Sequence, residues 1–359
     1  MRILHVITSL SKAAGTTTFV ENVTREMQFL GHVADISVSE RGFVLCDIMH
    51  IHGLWSGLLH KAVKFAWRNH IPIVWSTHGM TAPWSMRHKW WKKVPAWLLY
   101  QKRDLMRADA IHCTTEQEAV WNKQLGFKKC VVVPLGTGES LTDELPLVRE
   151  RKVLLFVGRI YPVKGLENLI CAWRMALDSD PTERERVGRL RWILRIVGPD
   201  QAGYRKKLEQ LVSKLNLRNA VEFAGPKYGR FLSQEYQQSE CLVLPSFTEN
   251  FGGVVIDALA NGKPCIASTF TPWQELQNHG CGWWVDNSPE ELSGAISSMM
   301  AMSEAERRRM GESGRALVKE KYSWPAVVAD LLHHYEDVIK NVRNNLADCS
   351  QCFKAQNHI

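Results

Sequence analysis

Short apolar runs alternate with longer stretches of helical periodicity along almost the whole chain. In the first half, Ile3–Ile7, Asp47–His52, Ile73–Ser76, Ala110–Cys113 and Cys130–Val133 read as buried strands. Between them, Phe19–Leu30 repeats apolar residues at helical spacing and stops at Gly31, and a further helix is predicted near Gly57–Asn69. Pro134-Leu135-Gly136-Thr137-Gly138 is rich in turn residues and leads into a charged linker up to Lys152. The second half repeats the scheme. Strands are predicted at Val153–Val157, Trp192–Val197, Ala220–Phe223, Cys241–Leu244 and Pro264–Ile266. Helices are predicted at Gly165–Leu177, Tyr204–Leu215, Gly253–Asn261, Pro289–Met300 and Glu304–Val318, with a last one from Trp324 to about Asn341. Such alternation builds parallel sheets, and 359 residues exceed one comfortable core. The pattern therefore predicts an α/β protein of two domains, residues 1–145 and 152–321. A helix at 322–343 and a polar tail at 344–359, expected to fray, complete it. A cleft between the domains is the default place for a ligand.

Composition narrows the class. Hydrophobic residues make up 45% and charged residues 23%, ordinary for a globular protein. No apolar run approaches the ~20 residues that span a bilayer. The first residues read as a strand and lack the long apolar region and cleavage site of a secretory signal. Nine cysteines, mostly within apolar runs, are expected to be reduced and cytosolic. Cys349 and Cys352 form a lone Cys-x-x-Cys, half of what a four-ligand zinc site needs. The net charge of +8 suits nucleic acid, anionic membrane or phosphate-bearing substrates. It concentrates in Arg87–Arg103, where Trp84, Trp90, Trp91 and Trp97 are interleaved with the basic residues. Such a segment either lies at a membrane interface or is a solvated helix face with packing tryptophans, and both readings stay open.

Two strings carry chemistry. The longer one runs from Pro245 to Pro264. A strand ends at a loop holding Glu249, Gly252 and Gly253 allow close backbone approach to a ligand, and a helix follows whose first amides face outward. Asp257 lies seven intervening residues beyond Glu249, early enough in the helix to face the same cleft, so the two acids can grip several hydroxyls. The second string is Val157-Gly158-Arg159-Ile160-Tyr161-Pro162-Val163-Lys164-Gly165. It places Arg159 and Lys164 between a strand and a helix, where a fork and a point charge can clamp a diphosphate.

Together these strings resemble the retaining glycosyltransferases of family 4, the group 1 enzymes with the GT-B fold. The resemblance spans nearly the whole chain and is densest from Val157 to Val285. It implies two Rossmann-like domains facing each other across a cleft, with the C-terminal helix packing back on the first. By the same resemblance Arg159 and Lys164 bind the donor diphosphate, Glu249 contacts the donor sugar, and Asp257 contacts the ribose. The family usually has Glu at that last position, so Asp257 is one methylene short. Gly198 falls in Ile196-Val197-Gly198-Pro199-Asp200, which matches the nucleotide-side strand and turn. The Thr271–Leu276 segment matches a loop near the donor phosphates and resembles enzymes of surface-polysaccharide assembly. In the acceptor domain the turn after the first strand is Ala14-Gly15-Thr16, where Gly15 admits the phosphate and Thr16 adds a hydroxyl. His52 and His78 each precede a glycine at a strand end, and His78 resembles the histidine beside the donor sugar. Backbone amides at Phe251 and Gly252, with Glu249 and His78, complete the implied sugar site. Glu116 and Glu118 read as structural helix-capping residues.

The expected activity is retaining hexosyl transfer from a nucleotide-diphosphate sugar to a saccharide acceptor, without metal or other cofactor. The basic, Trp-rich segment makes a lipid-linked or lipopolysaccharide acceptor the first candidate, at the inner face of the cytoplasmic membrane. A nucleotide-sugar epimerase would share the build and need no acceptor. Hydride transfer is disfavoured because no Gly-x-Gly-x-x-Gly follows the first strand. A nucleic-acid-binding module, and nucleic acid as a partner, leave the Glu249 to Pro264 string unexplained.

Overall fold

The strands place everything that follows. A computed structural model describes residues 1–10, 15–87, 89–138, 151–179 and 191–356, with side chains as far as residue 345. The linker expected up to Lys152 lies largely outside the described residues, as does Ala14. The chain divides into two compact units, Met1–Gly136 with Trp324–Ile359, and Thr137–Ser323.

In the first unit six strands pair in the order β2-β1-β3-β4-β5-β6: β1 (Arg2–Val6), β2 (Val33–Ser37), β3 (Ile48–His52), β4 (Ile73–Ser76), β5 (Ala110–Cys113) and β6 (Cys130–Val132). All pairings are parallel. The central strands are buried on both faces, which is why they read as unbroken apolar runs. Helices α1 (Gly15–Phe29), α2 (Gly57–Arg68), α3 (Pro83–Arg87), α4 (Trp90–Ala96), α5 (Lys102–Met106) and α6 (Glu116–Gln124) connect them.

The second unit repeats the architecture in the order β12-β11-β10-β7-β8-β9. Its strands are β7 (Lys152–Val157), β8 (Trp192–Val197), β9 (Val221–Gly225), β10 (Cys241–Leu244), β11 (Cys265–Ser268) and β12 (Gly282–Val285). Helix α7 (Leu166–Asp178) packs its Leu169, Ile170 and Trp173 into a core with Leu154, Phe156 and Ile196. Then come α8 (Tyr204–Lys214), α9 (Arg230–Gln237), α10 (Val254–Ala260), α11 (Glu275–Asn278), α12 (Pro289–Ala301) and α13 (Glu304–Leu317). The final helix α14 (Trp324–Gln356) belongs to the first unit. Its Val327, Val328, Leu331 and Tyr335 share a core with Ile3, Phe19 and Val20. The C-terminal helix thus packs back on the first domain, as the resemblance implied.

Several features differ from the sequence reading, which did not predict the short helices α9 and α11. Strand β2 is missed because it is an edge strand with Asp35 in mid-run and little burial. Strand β12 is missed because it is four residues long and half-buried. The basic stretch is several short pieces, since Lys89 adopts a left-handed conformation and Pro95 removes a helical donor ahead of a π-helical turn at Trp97–Gln101. Helix α14 runs past residue 344, where fraying was expected, through a segment free of Gly and Pro.

Candidate functional site

Strand order in a doubly wound sheet dictates where a ligand can sit. In the second unit the chain winds from β7 outward through β8 and β9, then returns to β10 on the other side of β7. The carboxyl ends of β7 and β10 therefore flank the switch point, where the following loops diverge and leave a crevice. Both chemical strings emerge there. The backbone N–H of Phe247, after β10, donates to the carbonyl of Val163, after β7, at 2.8 Å. Gly165 makes this approach possible. Its φ is +67°, and a Cβ there would lie 2.0 Å from the carbonyl oxygen of Pro245. Asn287 donates to that same oxygen at 2.6 Å. The consequence is that Lys164 Nζ meets Glu249 Oε2 at 2.5 Å although 85 residues separate them in sequence. The two side chains are only 13% and 18% exposed. Ser246 Oγ also donates to Glu249 Oε2, at 3.2 Å.

The neighbouring residues are arranged around this pair with different emphases. Arg159 is exposed and donates to Gln201 Oε1 at 3.1 Å, so it takes no part in the Lys164–Glu249 contact. Gly198 is where β8 crosses the end of β7: a Cβ there would stand 1.8 Å from the Gly158 carbonyl. Gly252 has φ +82° and faces Leu244, Trp273 and Glu249 at close range. The Phe251 carbonyl accepts from Trp273 Nε1 at 2.6 Å, and the buried Phe251 ring packs edge-on against Trp273. Trp273 thus braces the loop that carries Glu249, a role the sequence string around it did not reveal. Glu275, in the same string, accepts from Lys321 and Tyr322. Asp257 accepts from Thr137 Oγ1 at 2.7 Å. Burial drives its pKa up to about 6, against the opposing effect of that hydrogen bond. The sequence reading found no metal-binding Asp-x-Asp triplet, but one is present in the sequence, Asp178-Ser179-Asp180; its Asp178 ends α7 and pairs with Arg174. Its Asp180 lies outside the described residues.

The first unit has its own switch point, between β1 and β3. Gly15 and Thr16 open α1, whose first amides have no intrahelical acceptor. Apart from its chain neighbours and the backbone of its own helix turn, no described atom lies within 4 Å of where a Gly15 Cβ would stand, so its own surroundings do not demand glycine. His78 follows β4 in a left-handed conformation, φ +49°, half-buried. Its loop is held by Glu118, which sequence reasoning assigned only to capping. The Glu118 carboxylate accepts from Thr77 Oγ1 at 2.7 Å, Gly79 N at 2.5 Å and Thr114 N at 2.8 Å. Burial works to raise its pKa, yet the hydrogen bonds from Thr114, Gly79 and Thr77 and the nearby His78 leave it below the ordinary value. The Thr115 N-cap of the capping segment was visible; where the Glu118 side chain goes was not.

Five histidines, His5, His50, His52, His78 and His112, lie on or just beyond four neighbouring strands of this sheet. All five are pushed below the ordinary histidine pKa, mainly by burial, His5 to about 3 and His78 to about 4. Only His52 and His78 had drawn notice in the sequence, each through a following glycine. Further along, the basic segment leaves Trp84, Trp90, Trp91, Leu98 and Leu99 exposed, the two leucines by 77% and 76%. Trp97 instead packs against Trp55 and Phe127.

Comparison with known proteins gives this geometry a family. Residues 139–317 match the profile described as "Glycosyl transferases group 1", and residues 40–138 match that of "Glycosyltransferase Family 4". The chain is 25% identical over 310 residues to a D-inositol 3-phosphate glycosyltransferase of Geodermatophilus obscurus. That match takes in 80% of this chain and 66% of the relative. Among solved structures, HepE of Anabaena in complex with UDP and glucose superposes with a TM-score of 0.72 at 17% identity, covering 94% of this chain and 100% of that one. WaaG, a glycosyltransferase involved in lipopolysaccharide biosynthesis, gives 0.63 at 16% identity, covering 92% and 99%. At these identities the structural likeness concerns the fold: two Rossmann-like domains of the GT-B type. Two adjoining profiles that together run from residue 40 to residue 317 and a GT-B fold show that this chain belongs to the group 1 glycosyltransferases of family 4.

Proposed function

We propose that the protein transfers a hexosyl group, with retention, from a nucleotide-diphosphate sugar to a saccharide acceptor. The observation that supports this most is the Lys164–Glu249 pair at the switch point of the second unit. An ammonium held against a carboxylate in a polar crevice is ready to exchange that partner for a phosphate, and the carboxylate is then released to accept from sugar hydroxyls. Arg159, exposed nearby on the same loop, adds a fork for the diphosphate. Charge that develops on the departing diphosphate is met by these two cations. They take the part that a divalent ion plays elsewhere, so transfer is expected to be metal-independent.

The remaining roles follow the resemblance. Phe251 and Gly252 offer backbone amides to the sugar, and Gly198 lines the nucleotide side. Gly15 and Thr16 reach the phosphates, and His78 touches the donor sugar. Asp257 binds the ribose with the oxygen that Thr137 leaves open. Departure of the diphosphate and attack by the acceptor on one face would need no protein nucleophile. The acceptor is taken to be lipid-linked or part of a lipopolysaccharide, with the exposed basic and aromatic face of residues 84–103 resting on an anionic membrane. Among the described residues no helix is long and apolar enough to cross one.

Lys164→Ala tests the donor site. Transfer is expected to fall at least about 100-fold, as when one charge-stabilising group is removed. Stabilisation against heating by nucleoside diphosphates is expected to vanish with it. Unchanged transfer in a folded Lys164→Ala protein would remove the donor site from this crevice.

A further inference from the structure

The histidines of the first sheet form two separate strings. In the first, Tyr335 OH lies 2.5 Å from His50 Nδ1, His50 Nε2 2.7 Å from Ser76 Oγ, Ser76 Oγ 2.6 Å from His112 Nδ1, and His112 Nε2 2.8 Å from the Val133 carbonyl. A carbonyl can only accept, so this string has one direction. His112 donates to Val133 from Nε2, Ser76 donates to His112, His50 donates to Ser76, and Tyr335 donates to His50. Both nitrogens of His50 and of His112 are thereby used.

The second string joins His5 Nδ1 to His52 Nε2 at 2.9 Å and His52 Nδ1 to His78 Nε2 at 3.1 Å. Neutral rings carry one N–H each, so only two arrays keep both links. In one, donation runs outward from His5 through His52 to His78. In the other it runs inward and leaves an N–H on His5 Nε2. That nitrogen is fully buried and has no partner among the described residues. An orphaned buried donor is costlier and rarer than an orphaned acceptor, and neither imidazole of the first string has a lone pair left to offer it. A cation could be imagined here too, since nitrogens of His5, His50 and His52 lie within 4.8 Å of one another. In the outward array, however, only His5 Nε2 retains an open lone pair, and a metal would have to break both strings.

We propose that His52, backed by His5, is a positioning residue that holds His78 with its proton on Nδ1 and its Nε2 lone pair engaged. His78 then meets the donor sugar as a hydrogen-bond donor and does not serve as a general base. This deepens, and rests on, the role given to His78 above. Its tautomer, however, is readable without any substrate. In protein labelled with 15N-histidine, long-range 1H–15N correlations at neutral pH should show His78 Nδ1 protonated and Nε2 bare. His52→Asn keeps a donor near the place of Nδ1, and His52→Leu does not. With His52→Leu, kcat is expected to fall about tenfold, the usual effect of losing an orienting partner, and His78 should show mixed tautomers. His52→Asn should recover most of the rate and the single tautomer. A His78 protonated on Nε2 in the unaltered protein overturns the proposal, as does stoichiometric zinc in protein dialysed without chelator. So does equal activity in the Leu and Asn variants. Failure of the donor reading itself would show elsewhere, as full transfer by Lys164→Ala with the tautomer intact.

Discussion

At the scale of single residues, two glycines show how differently the same residue type can matter. Gly165 has a left-handed φ and no room for a methyl group, because the Pro245 carbonyl would sit 2.0 Å from it. Gly165→Ala must therefore push the β7 and β10 loops apart. It should cost about 2 kcal/mol or more of stability and weaken donor binding, since Lys164 and Glu249 meet only while those loops are zipped together. Gly15 opens α1 with open space where a methyl would go, and alanine is the better helix former. Gly15→Ala should leave thermal stability unchanged or slightly raised. If it weakens binding of a nucleoside diphosphate, the methyl obstructs the ligand itself, as the proposed phosphate contact requires. Equal donor affinity in Gly15→Ala and the unaltered protein would remove Gly15 from the site.

At the scale of elements, the exposed face of α3, α4 and the π-helical turn is the feature hardest to reconcile with a purely aqueous surface. Trp84, Trp90, Trp91, Leu98 and Leu99 are all about half exposed or more, among Lys89, Lys92 and Lys102. Co-sedimentation should show binding to vesicles rich in phosphatidylglycerol and little to phosphatidylcholine, with loss at high salt. Leu98→Ser with Leu99→Ser should reduce that binding several-fold and leave transfer to a short water-soluble acceptor unchanged. Binding that ignores both salt and these leucines would leave the face unexplained by a membrane. Elements were also the level at which the sequence was most legible. Parallel strands buried on both faces announce themselves as apolar runs, and the loops after β7 and β10 carried Lys164 and Glu249 in recognisable strings. What stayed hidden depends on register and tertiary aim. His5 and His50 oppose each other only once β1 and β3 pair. Glu118 sits three residues after its N-cap like any capping residue, yet its carboxylate reaches back to Thr77 and Gly79. Trp273 gains its meaning from the Phe251 carbonyl, 22 residues away in sequence.

At the scale of the whole molecule, the two units should respond differently to acid. The first holds His5, His50, His52, His78 and His112, whose folded pKa values lie below 6.5, two of them at about 3 and about 4. Below pH 6.5 the unfolded chain takes up protons that the folded unit refuses. The stability these groups hold in reserve is therefore complete above pH 6.5 and drains as the pH falls toward 4. His5 and His78 each contribute a loss of roughly 1.4 kcal/mol per pH unit in that window, on the order of 2 kcal/mol by pH 5. Set against the roughly 5–15 kcal/mol by which a domain is stable at all, the loss from these two alone is substantial, and His50, His52 and His112 act in the same direction. The depressed carboxyl of Glu118 adds a further loss only as the pH drops below the ordinary glutamate value. The second unit has a single, exposed histidine, His279. Its Asp257 works in the opposite sense: with a folded pKa of about 6 it takes up a proton before the unfolded chain does, so acid slightly firms this unit. Calorimetry between pH 7.5 and 5 should therefore show the transition of the first unit moving to lower temperature and separating from that of the second. His5→Phe should flatten that drift by about one proton's worth. Transitions that move together across this range, or a first unit indifferent to pH, would mean that the buried histidines are not held neutral, and the directional strings built on their neutrality would go with them.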